Sequence, residues 1–190
     1  MTKPHKNTAL LVLLLAAILV MLLITPWLIR KIEKYSYPLG YQETVEQYAA
    51  EYQMDPFVIY SVIRTESGFD ENAQSDAGAR GLMQITEETF AWIKLKIAPQ
   101  EDLTFDDLWD PQVNIRFGSY YLDCCLERYG NDLATACAAY HSGWGTVDQL
   151  LAQEEYAASE ATLAEFPYPQ MARYVEKVGR AYDRYQQLYC

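Results

Sequence analysis

A long apolar run near the N-terminus constrains this chain more than any other feature. Sixteen apolar residues follow one another from Ala9 to Ile24, and residues 25–29 extend the run to 21 residues before a basic pair. About 20 apolar residues are enough to cross the hydrocarbon core of a bilayer as a helix. We therefore predict a transmembrane anchor over residues 9–29, with a short tail, residues 1–8, before it.

A cleaved secretory signal is the alternative interpretation of this run. Such a signal has a shorter apolar core followed by small residues, whereas Pro26, Trp27 and a basic cluster follow this one. An uncleaved anchor is therefore favoured. Its orientation does not follow from charge alone, because two lysines precede the span and three basic residues follow it.

The rest of the chain has the length of one domain, which we place at residues 41–190 after a linker at 30–40. Asp55-Pro56 and Asp110-Pro111 are typical helix starts, and Asp132 is a typical N-cap. No strand-like alternation of any length is present. The sequence predicts an all-α domain with at most a small hairpin between residues 67 and 84. Further helices are predicted over 41–52, 87–96, 146–156 and 170–188.

Charge and cysteine content exclude several function classes. The net charge is −11, and residues 1–34 contribute +4, so residues 35–190 carry −15. A nucleic-acid-binding role has little support from such an acidic domain. The four cysteines lack the spacing of a metal site or a disulfide scaffold, and we predict no metal. One disulfide bond and free thiols both remain open.

Glu66 is the most unusual titratable residue. It stands three and four residues after Ile63 and Val62, so it shares the apolar face of the helix that begins at Asp55-Pro56. Burial disfavours a charged carboxylate and raises its pKa, which suits a general acid. The alternative is that Glu66, at the end of its helix, simply reaches solvent or caps a neighbouring backbone group.

Several short motifs follow one another in a specific order. They are Glu66-Ser67, the block Gly81-Leu82-Met83-Gln84, the helix positions Asn114, Gly118 and Tyr121-Leu122, the block Ala139-Tyr140-His141-Ser142-Gly143, and Tyr174-Val175. At these residues the sequence resembles the soluble-lytic-transglycosylase-like domains, α-rich relatives of goose-type lysozyme that cleave the glycan strands of peptidoglycan. The resemblance extends over residues 45–180 and implies a lysozyme-like fold.

The resemblance also implies roles for individual residues. Glu66 would be the catalytic acid and then the base, and six residues would bind or position the substrate. These are Ser67, Met83, Gln84, Tyr140, His141 and Tyr174, of which the two tyrosines would flank the glutamate. His141 departs from the asparagine that is common in the family, so it either takes over the hydrogen bonds of that asparagine or adds a titratable group beside the cleft.

The implied reaction cuts the bond between N-acetylmuramic acid and N-acetylglucosamine and closes a 1,6-anhydro ring, without water, metal or cofactor. Ordinary glycosidases need two carboxylates, and only Glu66 is clearly placed here. A lysozyme-type hydrolase remains an alternative, with Asp70, Glu71 or Asp76 as its base. A glycan-binding module without turnover is a second alternative.

Location and partners follow from the implied substrate. The partners are the peptidoglycan glycan strands and the cytoplasmic membrane through residues 9–29, and the sequence predicts no particular protein partner. Since peptidoglycan lies outside the membrane, residues 1–8 would be cytoplasmic and the domain extracytoplasmic.

Overall fold

A computed structural model describes the backbone of residues 5–190 and the side chains of residues 10–190. The chain divides into two compact units, one ending at Pro38 and one comprising Leu39–Cys190. Part of the predicted tail, residues 1–4, lies outside the described residues.

The first unit is a single helix, α1 (His5–Ser36). Its stretch Leu10–Ser36 is long and apolar enough to cross a membrane, a property that anchors and signal sequences share. The helix continues through residues 30–36, which were predicted to lie in the linker. The anchor at residues 9–29 itself stays a prediction.

The second unit contains the seven remaining α-helices of the described chain. They are α2 (Gln42–Glu51), α3 (Pro56–Glu66), α4 (Glu87–Ile97), α5 (Pro111–Arg128), α6 (Leu133–Ser142), α7 (Trp144–Leu151) and α8 (Pro169–Tyr189), with a 3₁₀ helix at Phe105–Trp109. Residues 5–190 contain no β-strand, only isolated bridges such as Gln74 with Arg80. The prediction of an all-α fold is confirmed.

Side-chain caps explain where these helices begin. Asp55, Asp110 and Asp132 each accept a hydrogen bond from a backbone N–H in the first turn of α3, α5 and α6. Thr86 does the same for α4. Each cap satisfies a donor that has no partner within its own helix. The predicted starts of α3, α5 and α6 are therefore correct.

Helix α6 lies at the centre of the domain. Six of its ten residues, 135–140, are buried, and it packs against α5, α7 and α8. Its alanines present little bulk, so neighbouring helices can approach it from several sides. Helix α3 packs against α2 and α8, and the C-terminal ends of α3 and α6 both meet the N-terminal part of α8, at Tyr174.

The segment from residue 67 to 86 connects α3 to α4 without regular secondary structure. The fully buried side chain of Asn114 holds it: Oδ1 accepts from the Met83 N–H at 2.8 Å, and Nδ2 donates to the carbonyls of Arg80 and Leu108 at 2.9 Å. Gly81, at φ +72°, leaves room for this amide. A side chain on α5 thus fixes the path of the segment across the core.

Two regions of the second unit differ from the prediction. Helix α7 ends at Leu151 rather than near residue 156, because residues 152–157 form successive turns with hydrogen bonds such as Gln153 N–H to the Leu150 carbonyl. The 3₁₀ helix was not predicted, since five residues are too few to show a period. It begins at a capping box formed by Thr104 and Asp107.

The contact between α5 and the 67–86 segment leads to a stability prediction. A Cβ atom at Gly118 would lie 2.6 Å from Cβ of Met83 and would clash with its sulfur, whereas Gly179, within α8, has open space around it. We expect Gly118→Ala to lower the free energy of unfolding by about 1–3 kcal/mol through overpacking. Gly179→Ala should raise it by about 0.5–1 kcal/mol through helix propensity. Denaturant unfolding of the full chain in detergent measures both, and equal effects would contradict the close contact.

Candidate active site

Glu66 is the last residue of α3. It lies one turn after Val62 and Ile63, whose side chains are fully buried. Burial raises the pKa of its carboxyl to about 7, although a hydrogen bond from Tyr174 opposes this shift by stabilising the charged form. The predicted apolar environment of Glu66 is therefore present. Near neutral pH this carboxyl exists in both protonation states, so it can donate a proton and then accept one.

Tyr174 on α8 holds the carboxyl of Glu66 in place. Its hydroxyl donates to Oε1 of Glu66 at 2.7 Å, and its side chain is only 7% exposed. Burial and the negative charge of Glu66 raise the pKa of Tyr174 well above its usual value, so the hydroxyl remains a donor. The ring of His141 stacks on that of Tyr174, with centroids 4.4 Å apart. Partial burial lowers the pKa of His141.

Tyr140 and Ser67 fix the backbone around the carboxyl. The Tyr140 hydroxyl donates to the Met83 carbonyl at 2.8 Å, so this tyrosine holds the 67–86 segment rather than Glu66. The Ser67 hydroxyl donates to the Leu82 carbonyl at 2.9 Å and accepts from the Phe69 N–H. Both hydroxyls are therefore occupied by the protein itself.

Two cavities meet at Glu66 and His141. The first, of about 320 Å³, lies towards α4, and the second, of about 400 Å³, lies towards α8. Gln84 and Tyr140 from the predicted set line the first cavity, together with Ser75, Ala77, Ala79, Ile85, Thr86, Thr89 and Tyr121. Tyr174 lines the second, together with Thr65, Gln170, Arg173 and Lys177.

Two of the predicted substrate-binding residues do not line either cavity. Ser67 points its hydroxyl to backbone groups, and Met83 is fully buried against Gly118. Gln84 does line the first cavity, and its side-chain amide donates to the carbonyls of Ala73 and Gly81 at 2.9 Å. The structure thus brings Gln84, Tyr140, His141 and Tyr174 together around Glu66. Ser67 and Met83 lie outside the two cavities, where Ser67 binds the Leu82 carbonyl and the Met83 carbonyl binds Tyr140.

An aromatic cavity continues the groove away from Glu66. Its volume is about 300 Å³, and it shares Thr89 and Tyr121 with the first cavity. Trp92 and Trp144 pack edge to face there at 5.2 Å, and Tyr121 stacks on Trp144 at 5.7 Å. Sequence analysis did not single out these rings, because their separation along the chain gives no sign that they cluster.

Glu66 is the only carboxylate among residues 10–190 that lines either of the two cavities beside it. The three candidate bases lie elsewhere. Glu71 accepts from the Tyr41 hydroxyl at 2.8 Å, Asp70 accepts from the Asn72 N–H, and Asp76 is exposed. Within the same residues, no group of three His, Cys, Asp or Glu side chains is arranged to hold a metal ion. The four cysteines are free thiols.

The raised pKa of Glu66 predicts a pH-dependent cost to stability. Both folded and unfolded states are protonated below about pH 4, so the cost is absent there. It grows as the pH rises from about 4.5 to about 7, because the unfolded state then releases the proton that the buried carboxyl retains, and it is complete above about pH 7, where the folded state holds a desolvated charge. We expect Glu66→Gln to raise the free energy of unfolding by about 1–3 kcal/mol at pH 8.5 and to leave it unchanged at pH 4. Denaturant titrations at the two pH values measure this.

Glu165→Gln is the matched control, since it removes one negative charge from an exposed glutamate. It should change stability by less than about 0.5 kcal/mol at either pH. A Glu66→Gln effect that is the same at both pH values would contradict the desolvation of this carboxyl.

Comparisons with known proteins show to which family this chain is similar. The family model described as Transglycosylase SLT domain matches residues 43–162. The soluble lytic murein transglycosylase of Escherichia coli K12 is 28% identical over 150 residues, which are 78% of this chain and 23% of that protein. The membrane-bound lytic murein transglycosylase C of Actinobacillus pleuropneumoniae is 26% identical over 167 residues, covering 76% of this chain and 45% of that protein.

A solved structure has the same fold. An inactive glutamate-to-glutamine variant of the lytic transglycosylase Slt from Pseudomonas aeruginosa superposes with a TM-score of 0.72 at 27% identity, over 82% of this chain and 25% of that one. The chain therefore spans about a quarter of the length of these soluble relatives. Because the family model covers well over half of the chain, the protein belongs to the Transglycosylase SLT domain family.

Proposed function

We propose that this protein is a membrane-anchored peptidoglycan lytic transglycosylase with Glu66 as its acid and base. The observation that carries the proposal is the carboxyl of Glu66, which is desolvated, held by Tyr174 and located where two cavities meet. Relatives named as lytic murein transglycosylases support the substrate class. The inactive Pseudomonas aeruginosa variant, which has lost one glutamate, is in keeping with a glutamate as the essential group.

In the proposed reaction Glu66 acts twice. The protonated carboxyl first donates its proton to the oxygen that links N-acetylmuramic acid to N-acetylglucosamine, and the bond from C1 to that oxygen breaks. The 2-acetamido carbonyl oxygen of the substrate stabilises the positive charge at C1. The Glu66 carboxylate then removes the proton of the C6 hydroxyl, and O6 bonds to C1 to close the 1,6-anhydro ring. Glu66 is thereby protonated again, and no water is consumed.

The absence of a second carboxylate beside Glu66 in the described part of the chain favours this route over hydrolysis. A hydrolase of the lysozyme type needs a base or nucleophile within reach of the sugar. Asp70, Glu71 and Asp76 do not line the cavities that contain Glu66. The substrate's own acetamido and C6 hydroxyl groups therefore supply what the protein lacks.

The shape of the groove suits an extended polymer. Glu66 has a cavity on either side, and the aromatic cavity of Trp92, Tyr121 and Trp144 continues the groove. Flat aromatic rings offer apolar faces on which sugar rings stack. A glycan strand could therefore pass Glu66 with sugars bound on both sides of the scissile bond.

The proposed location is the cytoplasmic membrane. Residues 9–29 would anchor the protein, with residues 1–8 inside and the domain outside, where peptidoglycan lies. The long apolar stretch of α1 and the membrane-bound relative support anchoring. An anchored domain would act on glycan close to the membrane.

The decisive experiment determines the end group of the product. Full-length protein in detergent is incubated with purified peptidoglycan, and the released fragments are analysed by mass spectrometry before and after borohydride reduction. We expect non-reducible 1,6-anhydro ends. Glu66→Gln should reduce their release by at least about 100-fold, since it removes the general acid, while binding to insoluble peptidoglycan persists.

Glu71→Gln is the control, because Glu71 lies near Glu66 in sequence but outside the cavities, and it should retain activity. Reducible ends lost in the Glu71, Asp70 or Asp76 variants would instead indicate the hydrolase. Binding without release of any fragment would indicate a glycan-binding module.

The hydrogen bond from Tyr174 predicts a pH effect on this activity. Because Glu66 must be protonated to act as an acid, kcat/KM should fall as the pH rises through about 7. Tyr174→Phe removes a hydrogen bond that favours the charged form, so the alkaline limb should move up by roughly one pH unit. Tyr182→Phe is the matched control. It also loses a hydrogen bond from α8 to a carboxylate, that of Asp55, and should not move the limb.

A further inference from the structure

The cavity on the α8 side of Glu66 contains two cations that the proposed chemistry does not use. Arg173 and Lys177 lie one turn apart on α8 and both line this cavity of about 400 Å³. Gln170 lies one turn before Arg173 and lines it too. These residues share a helix face with Tyr174, which binds Glu66.

Neither cation forms an ion pair with a carboxylate of the described residues, although the carboxyl of Glu66 lines the same cavity. Arg173 donates from Nε to the Pro169 carbonyl at 3.0 Å, and Lys177 forms no ion pair within residues 10–190. By contrast, four arginines outside this cavity form an ion pair with a carboxylate. The pairs are Arg80 with Asp106, Arg116 with Glu101, Arg128 with Asp148 and Arg180 with Glu176.

The surrounding charge makes this pair unusual. Residues 35–190 carry a formal charge of −15, so the domain as a whole repels an anionic polymer. Two cations without an ion-pair partner in this cavity would attract an anionic group of a ligand beside Glu66. A guanidinium and an ammonium within one cavity match a carboxylate, and Gln170 adds a neutral donor.

We propose that Arg173 and Lys177 bind a carboxylate of the peptide stem carried by the N-acetylmuramoyl residue next to the scissile bond. This inference rests on the proposed function for the identity of the substrate. The peptide stem is the part of peptidoglycan that carries free carboxylates and branches from the sugar near the cut. The pair would therefore make the enzyme prefer glycan whose stems are charged over glycan whose stems are amidated.

The test compares one ligand in two charge states. Disaccharide-peptide fragments of peptidoglycan are used with free stem carboxylates or after conversion of these carboxylates to amides. Their dissociation constants are measured by calorimetry with the full-length Glu66→Gln protein in detergent, so that no turnover occurs. We expect about tenfold tighter binding of the free acid. In the added double variant Arg173→Gln/Lys177→Gln, this preference should fall to within about twofold.

Arg180→Gln/Arg184→Gln is the matched control for charge. It removes two cations from the same helix, and neither residue lines the cavity. This variant should keep the tenfold preference. If the free acid and the amide bind equally well to the parent protein, or if both double variants lose the preference to the same extent, the assignment of the carboxylate site is wrong.

A parallel activity assay separates this inference from the proposed function. Initial rates of fragment release are measured on intact and on amidated peptidoglycan with Glu66 present. Release that is insensitive to Arg173→Gln/Lys177→Gln on both substrates would overturn the carboxylate site and leave the lytic activity intact. No release by the parent protein, with a charge preference in binding that depends on the pair, would overturn the proposed activity and leave the carboxylate site.

Discussion

The hydrogen bonds of Asn114 hold the segment that forms one wall of the groove. The segment from residue 67 to 86 has no helix or strand, so its backbone groups are satisfied by turns within the segment and by side chains. Asn114 on α5 accepts from the Met83 N–H and donates to the Arg80 carbonyl, and the hydroxyls of Ser67 and Tyr140 donate to the carbonyls of Leu82 and Met83. Because the same segment lines the first cavity, the core of the domain and the wall of its groove are held by one set of contacts.

The position of Glu66 shows a conflict between stability and chemistry. An exposed carboxyl would cost nothing but would be fully ionised at neutral pH. Placing it at the end of an apolar helix raises its pKa and lowers the free energy of unfolding at neutral pH. The hydrogen bond from Tyr174 offsets part of this loss of stability, because it favours the charged carboxylate, and it holds the carboxyl against α8. The pKa of about 7 is the balance of these two effects.

Charge is distributed so that the groove differs from the rest of the surface. Four arginines of the acidic domain form ion pairs with carboxylates, whereas Arg173 and Lys177 form none in the described chain. They lie on the same face of α8 as Tyr174, so the proposed carboxylate site and the hydrogen bond that holds Glu66 belong to one helix. A charged polymer can thus be attracted at one point of an otherwise repulsive surface.

The sequence by itself determined the local features. Asp-Pro pairs and Asp132 marked the starts of α3, α5 and α6, since capping depends on neighbouring residues alone. The apolar face below Glu66 followed from helical spacing, and the motif resemblance indicated Gln84, Tyr140, His141 and Tyr174. Arg173 and Lys177 could also have been found, because they lie within one turn of Tyr174.

Only the tertiary structure decided what depends on contacts between distant parts of the chain. It separated Gln84, which lines the groove, from Met83, which packs against Gly118 in the core, although the two are adjacent in sequence. It also gathered Trp92, Tyr121 and Trp144 into one cavity, and it left Asp70, Glu71 and Asp76 out of the lining of the two cavities beside Glu66. Spacing along a chain defines a face of one helix, but which side chains meet across a cleft depends on how the helices pack.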